Sequence, residues 1–245
     1  MRSLDAKLAH IRDGKYTPKD FIIADAKDGD MGGGCPTPGP RRDGKGWRTK
    51  PDYLAAMAEM SRSGLVDIML TSLSSAEALA DDKVFEGTDV TLAVRLNDTT
   101  DIWGARGSCY KTAPSQPFRT ADLAAVEAVA DLGLYSVTFS NDVDRDLDTL
   151  EAYADFRAEC ALHKVRHFLE VFNPQFDCGL QEASLGEYVN DMIIKTLAGV
   201  TRSEQPLFLK QNFNGAAAVA ELAAYDPGRL IVGVLGGGRG TTRDT

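Results

Sequence analysis

The feature that most constrains the fold is a regular alternation of short apolar runs with longer segments whose apolar residues recur at helical spacing. Seven strands are predicted, with six helices between them. The predicted strands cover residues 21–25, 65–70, 90–96, 135–139, 166–172, 206–210 and 229–235. The predicted helices cover residues 52–63, 74–81, 120–131, 146–162, 185–199 and 215–224. Strict alternation of this kind predicts an α/β fold with a parallel sheet.

The repeat length, roughly 30 to 45 residues, favours a closed (β/α)8 barrel over an open doubly wound sheet. An open dinucleotide-binding sheet would carry GxGxxG directly after its first strand, whereas the loop after Lys27 reads DGDMGGG. Thr245 follows the seventh strand and its loop, so we expect the last helix–strand–helix unit of the barrel to be lacking from this chain. Either the chain is a fragment, or another chain covers the open edge. The expected organisation is one barrel domain over residues 1–245, with an N-terminal extension over 1–20 and an incomplete C-terminal end.

The composition and the net charge limit the kind of molecule that we expect the chain to bind. The formal net charge is −9 and the sequence pI is about 4.9, which disfavours nucleic acid and anionic membrane surfaces and favours a small solute. There is no apolar stretch of about 18 residues, and the N-terminus is too polar for a signal peptide, so we expect a cytoplasmic protein. The four cysteines, at positions 35, 109, 160 and 178, form no CxxC pair and are expected to be reduced thiols.

In barrels the active site lies at the carboxyl ends of the strands, so polar residues that end the predicted strands are the candidates. These residues are Asp25, Arg95, Asn97, Asp98, Thr138, Ser140, Asn141, Glu170, Lys210 and Asn212.

Lys210 and Glu170 are the candidates for covalent and proton-transfer chemistry. Lys210 ends the apolar run PLFLK, where an ammonium is costly to bury unless a carboxylate pairs with it, and a neutral amine there could attack a carbonyl. The alternative is that Lys210 points outward and reaches solvent. Glu170 lies between apolar neighbours on the preceding strand and could exchange protons, or it could form a structural ion pair with Arg166 or Arg95.

Asp25 and a set of cations and glycines are the candidates for binding substrate. Asp25 could act on a substrate hydroxyl as a general base, pair with Lys27, or cap the following loop. The glycine-rich segment 236–242 follows the seventh strand, the usual phosphate corner of a barrel, although a plain flexible loop is the alternative. The residues predicted to bind the phosphorylated substrate are Lys27, Arg95, Asn212, Gly236, Gly237, Gly238 and Arg239.

No metal site is predicted, because His10, His163 and His167 form no ligand constellation. The acidic stretch NDVDRDLD lacks the glycine and the final glutamate of a calcium loop and is more typical of a helix N-terminus. We expect no metal and no organic cofactor.

The chain resembles the class I (Schiff-base) aldolases of the tagatose-bisphosphate, archaeal fructose-bisphosphate and deoxyribose-phosphate type. Asp25 in IIADAKDG is similar to the aspartate of that group's first strand. The segment SVTFSNDVDRDLDTLEAYADFRAECALHKVRHFLEVF is similar to its fourth strand, long helix and glutamate-bearing fifth strand. Lys210, 40 residues beyond Glu170, falls where the group's imine lysine would fall. Such enzymes often carry a lysine or tyrosine on the fourth strand, where this chain has only Thr138, Ser140 and Asn141.

The resemblance implies an aldehyde-lyase that forms a lysine imine with a phosphorylated sugar or a keto acid, and it implies a homo-oligomer. Lys210 would form the imine, Glu170 would transfer protons, and Asp25 would act on the hydroxyl that is made or broken. Two other hypotheses stay open. One is a catalytically silent barrel that binds a sugar phosphate or serves as a structural subunit. The other is a barrel decarboxylase or isomerase in which Lys210 is an electrostatic clamp.

Overall fold

A computed structural model of the chain describes residues 1–102 and 104–236. The α-helices are α1 (Ser3–Arg12), α2 (Asp30–Gly33), α3 (Lys50–Arg62), α4 (Leu73–Asp81), α5 (Leu123–Glu127), α6 (Val143–His163), α7 (Leu185–Ala198) and α8 (Ala216–Tyr225). The strands are β1 (Ala24–Lys27), β2 (Ile68–Thr71), β3 (Thr91–Arg95), β4 (Asp98–Thr99), β5 (Pro117–Phe118), β6 (Leu132–Thr138), β7 (Arg166–Phe172), β8 (Leu209–Gln211) and β9 (Val232–Val234). Short 3₁₀ turns cover Pro18–Asp20, Tyr110–Thr112 and Glu182–Ser184.

Seven of the strands form one sheet, in the order β1-β2-β3-β6-β7-β8-β9. The strand pairs whose registers are described in this sheet are parallel. The two remaining strands, β4 and β5, form an antiparallel pair in the segment between β3 and α5. The predicted α/β fold with a parallel sheet is therefore confirmed, and closure into a barrel stays a prediction.

The chain divides into two compact units. The first comprises Met1–Leu96 and Thr120–Leu134, and the second comprises Asn97–Arg119 and the chain from Tyr135 onwards.

The first unit has a core built by α3 and its neighbours. Thr49 begins α3 with a capping box: its side chain accepts a hydrogen bond from the Asp52 backbone N–H, and the Asp52 carboxylate accepts one from the Thr49 backbone. One buried cluster joins α3 to β2, α4 and the segment before β3, and its members are Met57, Val66, Met69, Leu79, Val84 and Val90.

The second unit has an aromatic core between α6, β6 and β7. Asp142 caps α6 by accepting from the Arg145 N–H, and the helix ends at Lys164 in the left-handed conformation, with φ 56°. The rings of Tyr135 and Phe156 pack with centroids 4.2 Å apart, and His167 packs edge-on against Phe156. These ring contacts hold α6 against β6 and β7.

The observed elements differ from the predicted ones in several places. The first strand is Ala24–Lys27 rather than 21–25, and Phe21, which led the predicted run, is 70% exposed. The predicted helix over 120–131 is only Leu123–Glu127, because β6 already begins at Leu132. The predicted N-terminal extension contains α1, whose Leu4 and Leu8 are buried within the first unit.

In the described part of the chain, none of the helices combines the length and the apolar character that crossing a bilayer requires.

Candidate active site

The central feature of the second unit is an ion pair between Lys210 and Glu170. Glu170 on β7 and Lys210 on β8 are register partners, and Nζ of Lys210 lies 2.5 Å from Oε1 of Glu170. The Glu170 side chain is 1% exposed, whereas that of Lys210 is 19% exposed. The lysine is therefore directed to a buried carboxylate and still has a route to solvent.

Ser136 on β6 contacts the second oxygen of the same carboxylate. Its hydroxyl donates a 2.7 Å hydrogen bond to Oε2 of Glu170. The backbone of Ser136 is itself held by the side chain of Asn97, which donates to the Ser136 carbonyl at 2.7 Å and accepts from its N–H at 2.5 Å. The sequence analysis identified Asn97 as a strand-end residue but did not identify Ser136. Alternation along β6 was the available signal, because Ser136 is two residues before the candidate Thr138 and so lies on the same face.

This arrangement can move a proton between nitrogen and oxygen. The 2.5 Å contact between Nζ of Lys210 and Oε1 of Glu170 provides a direct path for a proton from the amine to the carboxylate. Transfer leaves a neutral amine, which is a nucleophile towards carbonyl carbon. The hydrogen bond from Ser136 fixes the carboxylate so that Oε1 stays directed at the amine.

In the first unit, Asp25 and Lys27 form a pair along β1. They are two residues apart and so share a face of the strand, and Nζ of Lys27 lies 2.9 Å from Oδ2 and 3.2 Å from Oδ1 of Asp25. Both side chains are about four-fifths buried, with 20% exposure for Asp25 and 23% for Lys27. Of the alternatives considered for Asp25, pairing with Lys27 is the one observed in the structure, and the charge of Lys27 is offset there.

Arg95 forms a second pair in the first unit. Its Nε donates a 2.5 Å hydrogen bond to Oδ2 of Asp28, and both side chains are buried, at 2% and 5% exposure. Asp28 was not predicted as a site residue, although an acid three positions beyond Asp25, in the loop after β1, was a possible signal. A phosphate approaching Arg95 would meet a guanidinium that already has a carboxylate partner.

A third polar group in the first unit connects α2 with α3 and α4. Oδ2 of Asp30 accepts hydrogen bonds from Lys50 at 2.7 Å and from Ser72 at 2.8 Å, and Lys50 also donates to Ser75 at 2.6 Å. Burial raises the pKa of the nearby Tyr53 phenol, and the adjacent carboxylates raise it further. None of these residues was predicted, because their contacts depend on the packing of α3 against β2.

The remaining predicted binding residues lie in the second unit. Oδ1 of Asn212 accepts a 2.9 Å hydrogen bond from the backbone of Asn173, so it holds the loop after β7. Gly236 is exposed after β9. Gly237, Gly238 and Arg239 lie outside the described residues, and their predicted role stays a prediction.

Asp101 is a buried acid in the segment between β3 and α5 that the sequence analysis did not identify. Its side chain is inaccessible to solvent, and burial raises the pKa of its carboxyl. The Ser115 hydroxyl lies near enough to favour the charged form, but neither Oδ1 of Asp101 nor Oγ of Ser115 has a hydrogen-bond partner of good geometry among the described residues.

Two further sets of side chains are the possible metal ligands and the cysteines. Over residues 1–102 and 104–236, no three or more His, Cys, Asp or Glu side chains are grouped so as to hold a metal ion. The cysteines are free thiols, of which Cys35 and Cys109 are exposed.

Comparison with known proteins leaves the family open. No family model and no curated protein matches the chain. Twelve chains of solved structure match it, among them Cgl0159 from Corynebacterium glutamicum, with 15% sequence identity and a TM-score of 0.49 over 94% of this chain and 84% of that one. A similarity at this level carries no argument about family or activity.

Proposed function

We propose that the protein is a class I aldolase that forms an imine between Lys210 and a carbonyl substrate, either a phosphorylated sugar or a keto acid. The observation that carries the proposal is the contact between Lys210 and the buried carboxylate of Glu170 on the adjacent strand. A partly exposed lysine beside a buried acid satisfies the two requirements of an imine-forming amine, which are access to substrate and a local proton acceptor.

The proposed steps use these two residues in turn. Glu170 takes a proton from the Lys210 ammonium, and the neutral amine adds to the substrate carbonyl to give a carbinolamine. Glu170 returns the proton to the carbinolamine hydroxyl, which leaves as water, and a protonated imine remains on Lys210. The positive charge of the imine then lies where that of the ammonium lay, so the same carboxylate stabilises it.

Cleavage of the carbon–carbon bond follows from the charge of the imine. The electron pair of the bond beta to the imine nitrogen moves into the imine to form an enamine. At the same time a base removes the proton of the hydroxyl on the leaving fragment, whose oxygen forms a carbonyl, so the first product leaves as an aldehyde or ketone. The enamine then takes up a proton, and water hydrolyses the imine to release the second product. Asp25 was predicted as the base in the cleavage step, and that role, like the binding roles of Lys27 and Arg95, stays a prediction.

The fold proposal accompanying this function is a (β/α)8 barrel. Apart from the β4–β5 pair, each strand of the sheet neighbours the next one along the chain. Doubly wound open sheets reverse their strand order near the middle, whereas a barrel keeps it sequential. We further propose that the barrel is one domain, is cytoplasmic and forms a homo-oligomer.

Borohydride trapping tests the function. The protein is incubated separately with dihydroxyacetone phosphate and with pyruvate, reduced, digested and examined by peptide mass spectrometry beside Lys210→Met and Lys195→Met, which replaces an exposed lysine on α7. We expect a reduced adduct on Lys210 in the native protein and in Lys195→Met, and none in Lys210→Met. The proposal fails if ligand binds and no adduct forms on Lys210.

The clamp hypothesis has one observation in its favour. The ion pair with Glu170 at 2.5 Å fixes the position of the Lys210 side chain, which suits a lysine that stabilises a developing negative charge in a decarboxylase or isomerase. Ligand binding that depends on Lys210, without any trappable adduct, would favour this second function.

A further inference from the structure

The loop between β1 and α3 contains a short hairpin, residues 39–48, that we call the basic hairpin. Its backbone is fixed by hydrogen bonds from Arg41 N–H to the Gly46 carbonyl at 3.0 Å and from Arg48 N–H to the Gly39 carbonyl at 2.9 Å. An antiparallel bridge joins Pro40 to Trp47. The hairpin is therefore an ordered element rather than an unstructured stretch of loop.

Glycine makes this turn possible. Gly44 and Gly46 have φ angles of 69° and 88°, a region that residues with a Cβ rarely adopt. Asp43, the only acid in the hairpin, accepts a hydrogen bond from the Lys45 backbone at 2.9 Å and so stabilises the same turn. The sequence thus forms the turn with glycines and one aspartate, and most of the other side chains are basic.

The basic hairpin carries an unusual concentration of positive charge. Four of its ten residues are basic, in a chain whose net charge is −9. All four are exposed, and within the described chain none forms an ion pair with a carboxylate. These residues are Arg41, Arg42, Lys45 and Arg48. The pKa of the Asp52 carboxyl is lowered mainly by hydrogen bonds from Thr49, and the charges of Arg41 and Arg48 add to the effect.

These cations differ from three others in the first unit. Lys27, Lys50 and Arg95 each have an aspartate partner, at 2.9, 2.7 and 2.5 Å. Their charges are offset, whereas the four cations of the hairpin repel one another and have one acid, Asp43, among them. Like charges held together in this way destabilise the folded chain slightly, so the arrangement is explained more readily by a bound anion than by stability.

Position and chemistry indicate the class of anion. The hairpin follows the carboxyl end of β1, the edge at which parallel α/β proteins bind small molecules. Guanidinium groups match the oxygens of phosphate. Arg41 and Arg48 are the neighbours of the bridge partners Pro40 and Trp47, so both lie on the face of the hairpin opposite to Trp47. Trp47 is 42% exposed and, next to Arg48 in the chain, can report on binding there. A long polyanion would meet the net negative charge of the whole chain, which favours a small ligand over nucleic acid.

We propose that the basic hairpin is a binding site for a phosphate-bearing small molecule, with the guanidinium groups of Arg41 and Arg48 on the phosphate. Identification of that ligand with the aldol substrate rests on the proposed function. Phosphate binding by the hairpin does not.

Fluorescence of Trp47 tests the site in a Trp103→Phe background, which leaves one tryptophan. The probes are dihydroxyacetone phosphate and its uncharged match, dihydroxyacetone. We expect saturable quenching or enhancement with the phosphate ester only. The double variant Arg41→Ala/Arg48→Ala should bind at least about tenfold more weakly, since it loses two charge-assisted contacts. Arg62→Ala, which removes one exposed charge at the other end of α3, should bind as the parent does.

The outcomes separate this site from the imine chemistry. Three results would each overturn the hairpin site. In the first, dihydroxyacetone binds as tightly as its phosphate ester, and in the second, Arg62→Ala weakens binding as much as the double variant does. In the third, a single-stranded oligonucleotide binds saturably and the phosphate ester does not bind. Pyruvate carries no phosphate, so its trapping on Lys210 should be unchanged in the double variant. If pyruvate and dihydroxyacetone phosphate leave no adduct while the hairpin still binds the phosphate ester, the aldolase proposal fails and the hairpin site remains.

Discussion

The ion pair between Lys210 and Glu170 should contribute measurably to stability, and its two partners should contribute unequally. At a separation of 2.5 Å their attraction is about 7 kcal/mol with an effective dielectric constant of about 20, and the loss of hydration offsets much of it. Replacing Lys210 with methionine leaves the carboxylate of Glu170, which is 1% exposed, without the adjacent ammonium. We expect that change to cost about 3 kcal/mol, the lower end of the range for breaking a buried pair.

Replacing Glu170 with glutamine should cost less, about 1 to 2 kcal/mol. The Lys210 side chain is 19% exposed and its flexible stem can carry the ammonium to water, and glutamine can still accept the hydrogen bond from Ser136. In the double variant no charge of the pair remains. Its cost should be about 2 kcal/mol, which is less than the sum of the single costs because the two residues interact.

Urea unfolding monitored by circular dichroism gives the four free energies of this cycle. Lys27→Met serves as a matched control, because it breaks an ion pair whose carboxylate, Asp25, is 20% exposed, and it should cost no more than about 1 kcal/mol. The reasoning would be refuted if the losses in free energy of unfolding of the two single variants summed to that of the double variant. It would also be refuted if Glu170→Gln lost more than Lys210→Met.

Two further stability predictions concern residues outside the pair. Burial lowers the pKa of His167 to about 4, whereas a histidine in an unfolded chain has a pKa of about 6.5. As the pH falls, the unfolded state therefore binds the proton first. The free energy of unfolding that is present above pH 6.5 should decrease by about 3 kcal/mol at pH 4. The free-energy difference between the protein and His167→Phe should change by that amount between about pH 7 and pH 4, and a constant difference would contradict it. Gly133→Ala would place a Cβ 2.1 Å from Cδ1 of the buried Leu96 and should cost about 1 to 3 kcal/mol, whereas Gly199→Ala, with open space around it, should be nearly neutral by the same urea titration.

Continuous apolar runs were the parts of the fold most readily predicted from the sequence. The run RHFLEVF gave β7 with its observed bounds, because nearly all of its residues are buried and both ends are marked by a change in polarity. The first strand was placed three residues early, since the apolar run that begins at Phe21 lies largely exposed before β1. Local hydrophobicity indicates a strand but does not show which residues the rest of the chain covers.

The candidate site was predictable where it depends on strand order and unpredictable where it depends on packing. Glu170 lies near the end of the fifth predicted strand and Lys210 ends the sixth, so their proximity follows from a parallel sheet in which these strands are neighbours. The contact of Ser136 with Glu170 needs the register of β6, and the contact of Lys50 with Asp30 needs the packing of α3, neither of which leaves a local signal. The basic hairpin was not predicted, because its order depends on hydrogen bonds across the turn.

The two hydrogen bonds that Asn97 makes with the backbone of Ser136 depend on a single side chain, which affects the motion of the backbone at Ser136. The N–H of Ser136 donates to the side-chain oxygen of Asn97, and rotation of that one side chain breaks this hydrogen bond. The N–H of Leu96 donates to the backbone carbonyl of Leu134, and that hydrogen bond breaks only when two backbone segments separate. A rotation of Asn97 would therefore loosen the backbone of Ser136, whose hydroxyl holds the carboxylate of Glu170.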